Sequence, residues 1–335
     1  MLQKFSWFQL LFAITLASTY DHRCLPYPID SVCILDYISY RPGDLVTFPT
    51  GYQEYHIQQP RSLKESGSKV TTFDEALYKA MHQPSRVEME IVQLTNVILP
   101  PELVLGNFAR NLVRSVSVSS GKNYRIAYLD LASNSLTDIG FVSSLVNLEM
   151  LHLGSNNIRS IPGSALRPLT KLRYLYLSGN HFTTIPWKDL PCNLIHLDSY
   201  LGVVETVDFS NVNLPSLEYL NLRNNEFSAI NVTALVQAAL NLKDVYLYND
   251  KIDEFRMNDI KVELTAKNIS FVEEYEDRSC FYDDRHEFVG GKCVLLKDLP
   301  VGAGKAVALS SVALGVATLL VYLAYLVFSL RITNL

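Results

Sequence analysis

Residues 148–161 read LEMLHLGSNNIRSI, and this short stretch decides the fold. Leu148, Leu151 and Leu153 lead to Asn156, then Ile158 and Ile161, the pattern L-x-x-L-x-L-x-x-N-x-L-x-x-I. The Leu151-x-Leu153 alternation sets two side chains on one face of a short strand. Asn156 then turns the chain, because its amide bonds the backbone groups of the turn it enters. The last two apolar positions close a core under the returning segment. The register repeats downstream as Leu172, Leu175, Leu177, Asn180, Phe182, Ile185, and again as Leu217, Leu220, Leu222, Asn225, Phe227, Ile230. One unit earlier stand Ile126, Leu129, Leu131, Asn134, Leu136 and Ile139. At the far end come Leu242, Val245, Leu247, Asp250, Ile252 and Phe255, with Asp in the Asn place. A degenerate unit lies between: Leu194, Leu197, Ser199, Gly202, Val204, Val207.

The six starts are 22, 24, 22, 23 and 25 residues apart. That period predicts an α/β solenoid, a leucine-rich-repeat horseshoe with a parallel sheet on its concave face. An unrelated α/β domain with chance Leu periodicity would not hold one register through six consecutive units. One unit cannot bury its own core, whereas stacked units do. The solenoid is expected over residues 87–261, opened by two worn repeats, Val87-x-Met89-x-Ile91 and Val113-x-x-Val116-x-Val118. Residues 18–86 read as a non-repetitive N-terminal cap. They contain one helix, signalled by the capping box Thr72-Phe73-Asp74-Glu75 and ending before Pro84. Residues 262–294 read as a C-terminal cap and 295–305 as a stalk.

The two ends are apolar and raise the mean hydropathy to +0.11. Lys4, an apolar run to Ala17 and the small residues Ala17, Ser18 and Thr19 make residues 1–17 a signal peptide. Residues 306–330 carry no charge over 25 positions, enough to span a bilayer. They read as a transmembrane helix with residues 331–335 as a cytosolic tail. The alternative is a lipid-anchor signal, with Gly302, Ala303 and Gly304 as the small attachment site. Either reading places the bulk of the chain outside the cell. In that compartment near cysteines pair, so Cys24–Cys33 and Cys280–Cys293 are the expected disulfides. Neither pair has zinc spacing. Cys192 is left over, either for an intermolecular bridge or as an inert core residue. Asn231-Val-Thr and Asn268-Ile-Ser are glycosylation sequons.

Strand residues pointing away from the core line the concave face. The third position of each unit reads Tyr128, Met150, Tyr174, His196, Tyr219, Asp244; the fifth, Asp130, His152, Tyr176, Asp198, Asn221, Tyr246. The seventh reads Ala132, Gly154, Ser178, Tyr200, Arg223, Tyr248. Seven of these eighteen positions are Tyr, of 19 in the chain, and exposed Tyr is a preferred contact residue of binding surfaces. The stripe is therefore the expected recognition face. The plainer alternative is that Tyr suits strands and stacks across them. No catalytic motif, metal set or phosphate loop stands out, so neither catalysis nor a cofactor is expected. A net charge of −5 offers no field for nucleic acid.

Over residues 126–255 the repeats resemble those of the extracellular leucine-rich-repeat superfamily. The Cys24/Cys33 opening followed by Ile34-Leu35-Asp36-Tyr37, the worn first repeats and the run Leu129-Asp130-Leu131-Ala132-Ser133-Asn134 resemble insect leucine-rich-repeat immune proteins, the mosquito group in particular. That resemblance implies innate defence through a complement-like or other immune factor, or a microbial ligand. Soluble members of the group carry a C-terminal coiled coil, and no sustained heptad occurs here. The apolar C-terminus matches the membrane-attached branch instead. Cell adhesion or developmental signalling as a co-receptor is the competing function; an enzyme is a remote one.

Overall fold

The computed structural model describes residues 20–25, 31–60, 67–249, 251–272, 286–289 and 292–295. Its spine is an 11-stranded sheet whose strand order follows the chain without a swap. The strands are Val32–Leu35, Glu54–Ile57, Arg86–Met89, Leu105–Asn107, Tyr128–Asp130, Met150–His152, Tyr174–Tyr176, His196–Asp198, Tyr219–Asn221, Asp244–Tyr246 and Ser270–Phe271. Every pairing between them is parallel. Register aligns the middle residues in one row: Cys33, Tyr55, Val87, Gly106, Leu129, Leu151, Leu175, Leu197, Leu220, Val245 and Phe271. These side chains point inward, and all but Gly106 belong to or pack on one continuous apolar core.

The sheet begins at Val32, well inside the stretch expected to be a non-repetitive cap, and Val87 is not its start. Tyr55 and Ile57, or Cys33 and Leu35, do the work of paired leucines there, all nearly inaccessible to solvent. The second worn repeat is also misplaced by the sequence. Ser115–Ser117 joins Thr72–Phe73 and Asn96–Ile98 in a separate three-stranded sheet. The main-sheet strand of that unit is Leu105–Asn107, with Leu103, Phe108, Asn111 and Val113 in the consensus places. Its central position is Gly106, where a Cβ would lie 2.7 Å from the Phe108 ring. A bulky neighbour replaces the missing leucine, so the leucine pattern fails although the coil is intact.

An asparagine ladder ties successive coils together. Asn156 is buried; its Nδ2 donates to the carbonyls of Leu131 (2.9 Å), Leu153 (3.1 Å) and Gly154 (3.2 Å), and its Oδ1 accepts from the Leu136 amide (2.9 Å). Asn111, Asn134, Asn180 and Asn225 repeat this pattern. Each polar group of these turns thereby finds a partner away from water. The ladder skips the degenerate unit, where Gly202 holds the Asn place. In the last full unit Asn249 is buried and donates to the Phe227 carbonyl; Asp250, the expected ladder residue, lies outside the described residues.

The expected early helix is Glu75–Ala80, but its N-cap is Asp74, whose carboxylate accepts from the Leu77 amide. Near the end, Asp253 caps the helix Glu254–Thr265. That helix changes the phase of the last unit. Ile252 stays buried, while Phe255, expected in the core, is 86% exposed. The helix also crosses the proposed boundary at residue 262, and the sheet ends only at Ser270–Phe271. Beyond it, His286–Val289 and Lys292–Leu295 form an antiparallel hairpin.

At the front end a disulfide joins Cys24 to Cys33, with Cα atoms 5.0 Å apart, as expected. Cys192 is exposed, so it is not a buried filler. Cys280 lies outside the described residues, and with it the second pair. Residues 1–17 and 306–335 also lie outside them. Among the described residues no helix is long and apolar enough to cross a membrane.

Candidate binding face

Register brings the expected residues side by side. Tyr128, Met150, Tyr174, His196, Tyr219 and Asp244 form one transverse row, and Asp130, His152, Tyr176, Asp198, Asn221 and Tyr246 the next. Parallel strands sit about 4.8 Å apart, close to the spacing at which planar rings pack. The rings form a ladder across the face. Tyr128 and His152 have centroids 6.4 Å apart, His152 and Tyr176 3.8 Å, and Tyr176 and His196 4.8 Å. His196 lies 4.1 Å from Tyr219 with the planes 4° apart, and Tyr219 is 5.1 Å from Tyr246.

This corrects the picture of an exposed tyrosine stripe. Tyr128, Tyr174, Tyr176, Tyr219 and Tyr246 are all buried, as are His196, Asn221, Asp130 and Asp198. Of the sites proposed from sequence, His152, Tyr200 and Arg223 are half-buried, and Tyr248 is 50% exposed. Arg223 reaches over the Tyr200 ring at 5.9 Å, a cation–π contact.

Burial sets the electrostatics of the ladder. Desolvation, helped by the neighbouring His152, holds His196 well below the usual imidazole range. Desolvation pushes the Asp198 carboxyl up, against hydrogen bonds from Ser178, the Tyr200 amide and Asn221. A neutral imidazole stacked between tyrosines is the physically consistent state, because an imidazolium there would be charged and out of water.

Sequence reasoning missed a second part of the same face. On the early strands, Glu54, His56 and Glu88 converge, their ligating atoms all within 4.8 Å of one another. His56 Nε2 lies 2.6 Å from Glu54 Oε1 and 3.7 Å from Glu88 Oε2. Burial opposes charge on His56, but Glu88, followed by the Glu54 hydrogen bond, pushes it up to about 9. Burial also raises Glu88, and lifts Glu90 to about 7 despite a hydrogen bond from Asn107. The alternation Glu54-x-His56 was the available signal. Without knowing that His56 faces Glu88 across the sheet, it carried no meaning.

A leucine rich repeat family model matches residues 125–182, and a second one matches residues 171–194 and 216–237. Leucine-rich repeats therefore occupy residues 125–194 and 216–237. The chain is 30% identical to Tsukushi of Xenopus tropicalis over 126 residues, 33% of this chain and 36% of that protein. It is 30% identical to bovine lumican over 144 residues, 38% of this chain and 40% of lumican. The matches thus span well under half of these relatives. The crystal structure of the LRIM1/APL1C complex superposes with a TM-score of 0.51 at 17% identity, over 68% of this chain and 46% of that one. At that identity the likeness speaks for the fold alone.

Proposed function

We propose that this leucine-rich-repeat protein acts outside the cell by binding another protein, or a microbial ligand, through its concave face. The carrying observation is the aromatic ladder flanked by accessible Tyr200, Arg223 and Tyr248. Stacked rings lock the strand side chains, so the groups beside them meet a partner with little rotamer entropy left to lose. Tyr and Arg are the residue types that dominate binding energy at such centres. The disulfide at the front end fits an oxidising compartment. The resemblance to insect immune proteins favours innate defence, with a complement-like or other immune factor as the partner. Residues 306–330 hold the chain at the membrane as a single span, and Asn231 and Asn268, both exposed, carry glycans.

The test is display of the full chain on insect cells with a fluorescently labelled complement-like factor as probe. The triple variant Tyr200→Ala, Arg223→Ala, Tyr248→Ala is expected to lose most of the cell-bound signal at equal surface expression. Substitution of the exposed residue Leu240, which lies outside the strands of the sheet, is the control. Equal signal from the triple variant and the control would refute the concave-face reading.

A further inference from the structure

We propose that Glu54, His56 and Glu88 form a binding site for a divalent transition-metal ion of the zinc type, on the N-terminal part of the concave face. The residues come from two adjacent strands, Glu54–Ile57 and Arg86–Met89, whose register sets His56 directly opposite Glu88. Glu54 lies two residues before His56 and so shares its face of the sheet. One nitrogen and two carboxylate oxygens within 4.8 Å of one another make a three-ligand set. Ligand atoms held about 2.0–2.2 Å from a tetrahedral zinc ion are ~3.3–3.6 Å from each other. The observed separations of 2.6 and 3.7 Å bracket that span, so small side-chain rotations suffice.

The charge count points the same way. Glu54, Glu88, Glu90 and Asp130 bring four carboxyl groups to this end of the face, against the guanidinium groups of Arg86 and Arg110. Carboxyl groups thus outnumber guanidinium groups there, four to two, which favours a cation. Arg86 Nη1 stands 3.7 Å from Glu54 Oε2, and His56 Nε2 lies 2.6 Å from Glu54 Oε1 and 3.7 Å from Glu88 Oε2. The set is also open. The side chains of His56 and Glu88 are 22% and 32% exposed, so a fourth coordination position faces solvent and is free for water or a group of a bound partner. Nothing in this inference depends on which partner the rest of the face binds.

The experiment uses the full chain in detergent, stripped with chelator and dialysed against zinc chloride at pH 7.5. One zinc ion per chain is expected. His56→Gln and Glu88→Gln should each weaken binding roughly 100-fold, because a lost ligand costs at least what a lost supporting contact does. His181→Gln, at an exposed histidine away from the cluster, should change nothing. Cobalt(II) offers a second readout: intense visible bands for a four-coordinate ion, lost in His56→Gln. Should His56→Gln fail to fold, Glu88→Gln decides alone, since its side chain is partly exposed and the change removes only charge. Saturation well below one ion per chain, or equal affinity in wild type and Glu88→Gln, would overturn the proposal.

Discussion

Replacing Asn156 by Ala removes a side chain that serves four backbone groups in two coils. The Leu136 amide loses its acceptor, while the carbonyls of Leu131 and Leu153 each lose one of two amide donors and keep those of Asn134 and Asn180, all in a part of the core closed to water. A buried backbone group left without a partner costs about 1–3 kcal/mol. One stranded amide and two weakened carbonyls put the expected loss at about 2–3 kcal/mol, a large share of the 5–15 kcal/mol typical of a domain. The assay is urea unfolding followed by fluorescence of Trp187, which is buried one coil away. Asn157→Ala, at the exposed neighbouring position, should stay within about 0.5 kcal/mol of wild type. Because each coil of a solenoid contacts only its neighbours, the Asn156 variant should also unfold over a broader range, as the two halves lose their coupling. A loss below about 1 kcal/mol, or one equal to that of Asn157→Ala, would refute the idea that the ladder holds the coils together.

Other expectations follow from the same physics. His196 is held neutral, with its folded-state value below that of the unfolded chain, so stability is full above about pH 6.5 and falls by up to about 1.4 kcal/mol per unit as pH drops below it. His196→Phe should flatten that slope in acid unfolding curves; an unchanged slope would exclude His196 as its source. Gly202→Ala should cost about 1–3 kcal/mol, because its Cβ would sit 2.7 Å from Asn225 Oδ1, which is tied to the Val204 amide; a melting temperature equal to wild type would contradict this. Breaking Cys24–Cys33 by serine substitution, which opens a loop of separation 9, should cost about 2–3 kcal/mol, with faster amide exchange confined to the first strands. Treatment of intact cells with a phosphatidylinositol-specific phospholipase should leave the chain attached if residues 306–330 span the bilayer, whereas release would establish a lipid anchor.

The sequence by itself determined the solenoid and its register from Ile126 to Leu247. Those coils are built from local units, each with its own leucine pair and turn residue, so the pattern within about 24 residues is enough. It also determined the Cys24–Cys33 bond, because the two cysteines lie close along the chain. Tertiary structure decided three things. The sheet starts at Val32, because Cys33, Tyr55 and Gly106 fill core places through neighbours such as Phe108 that no consensus marks. Tyr176, Tyr219 and His196 are buried and stacked, since exposure on the inner face depends on how closely adjacent rows approach. The Glu54, His56 and Glu88 cluster exists only through pairing across 32 residues of chain, a distance set by an irregular coil and not by any local period.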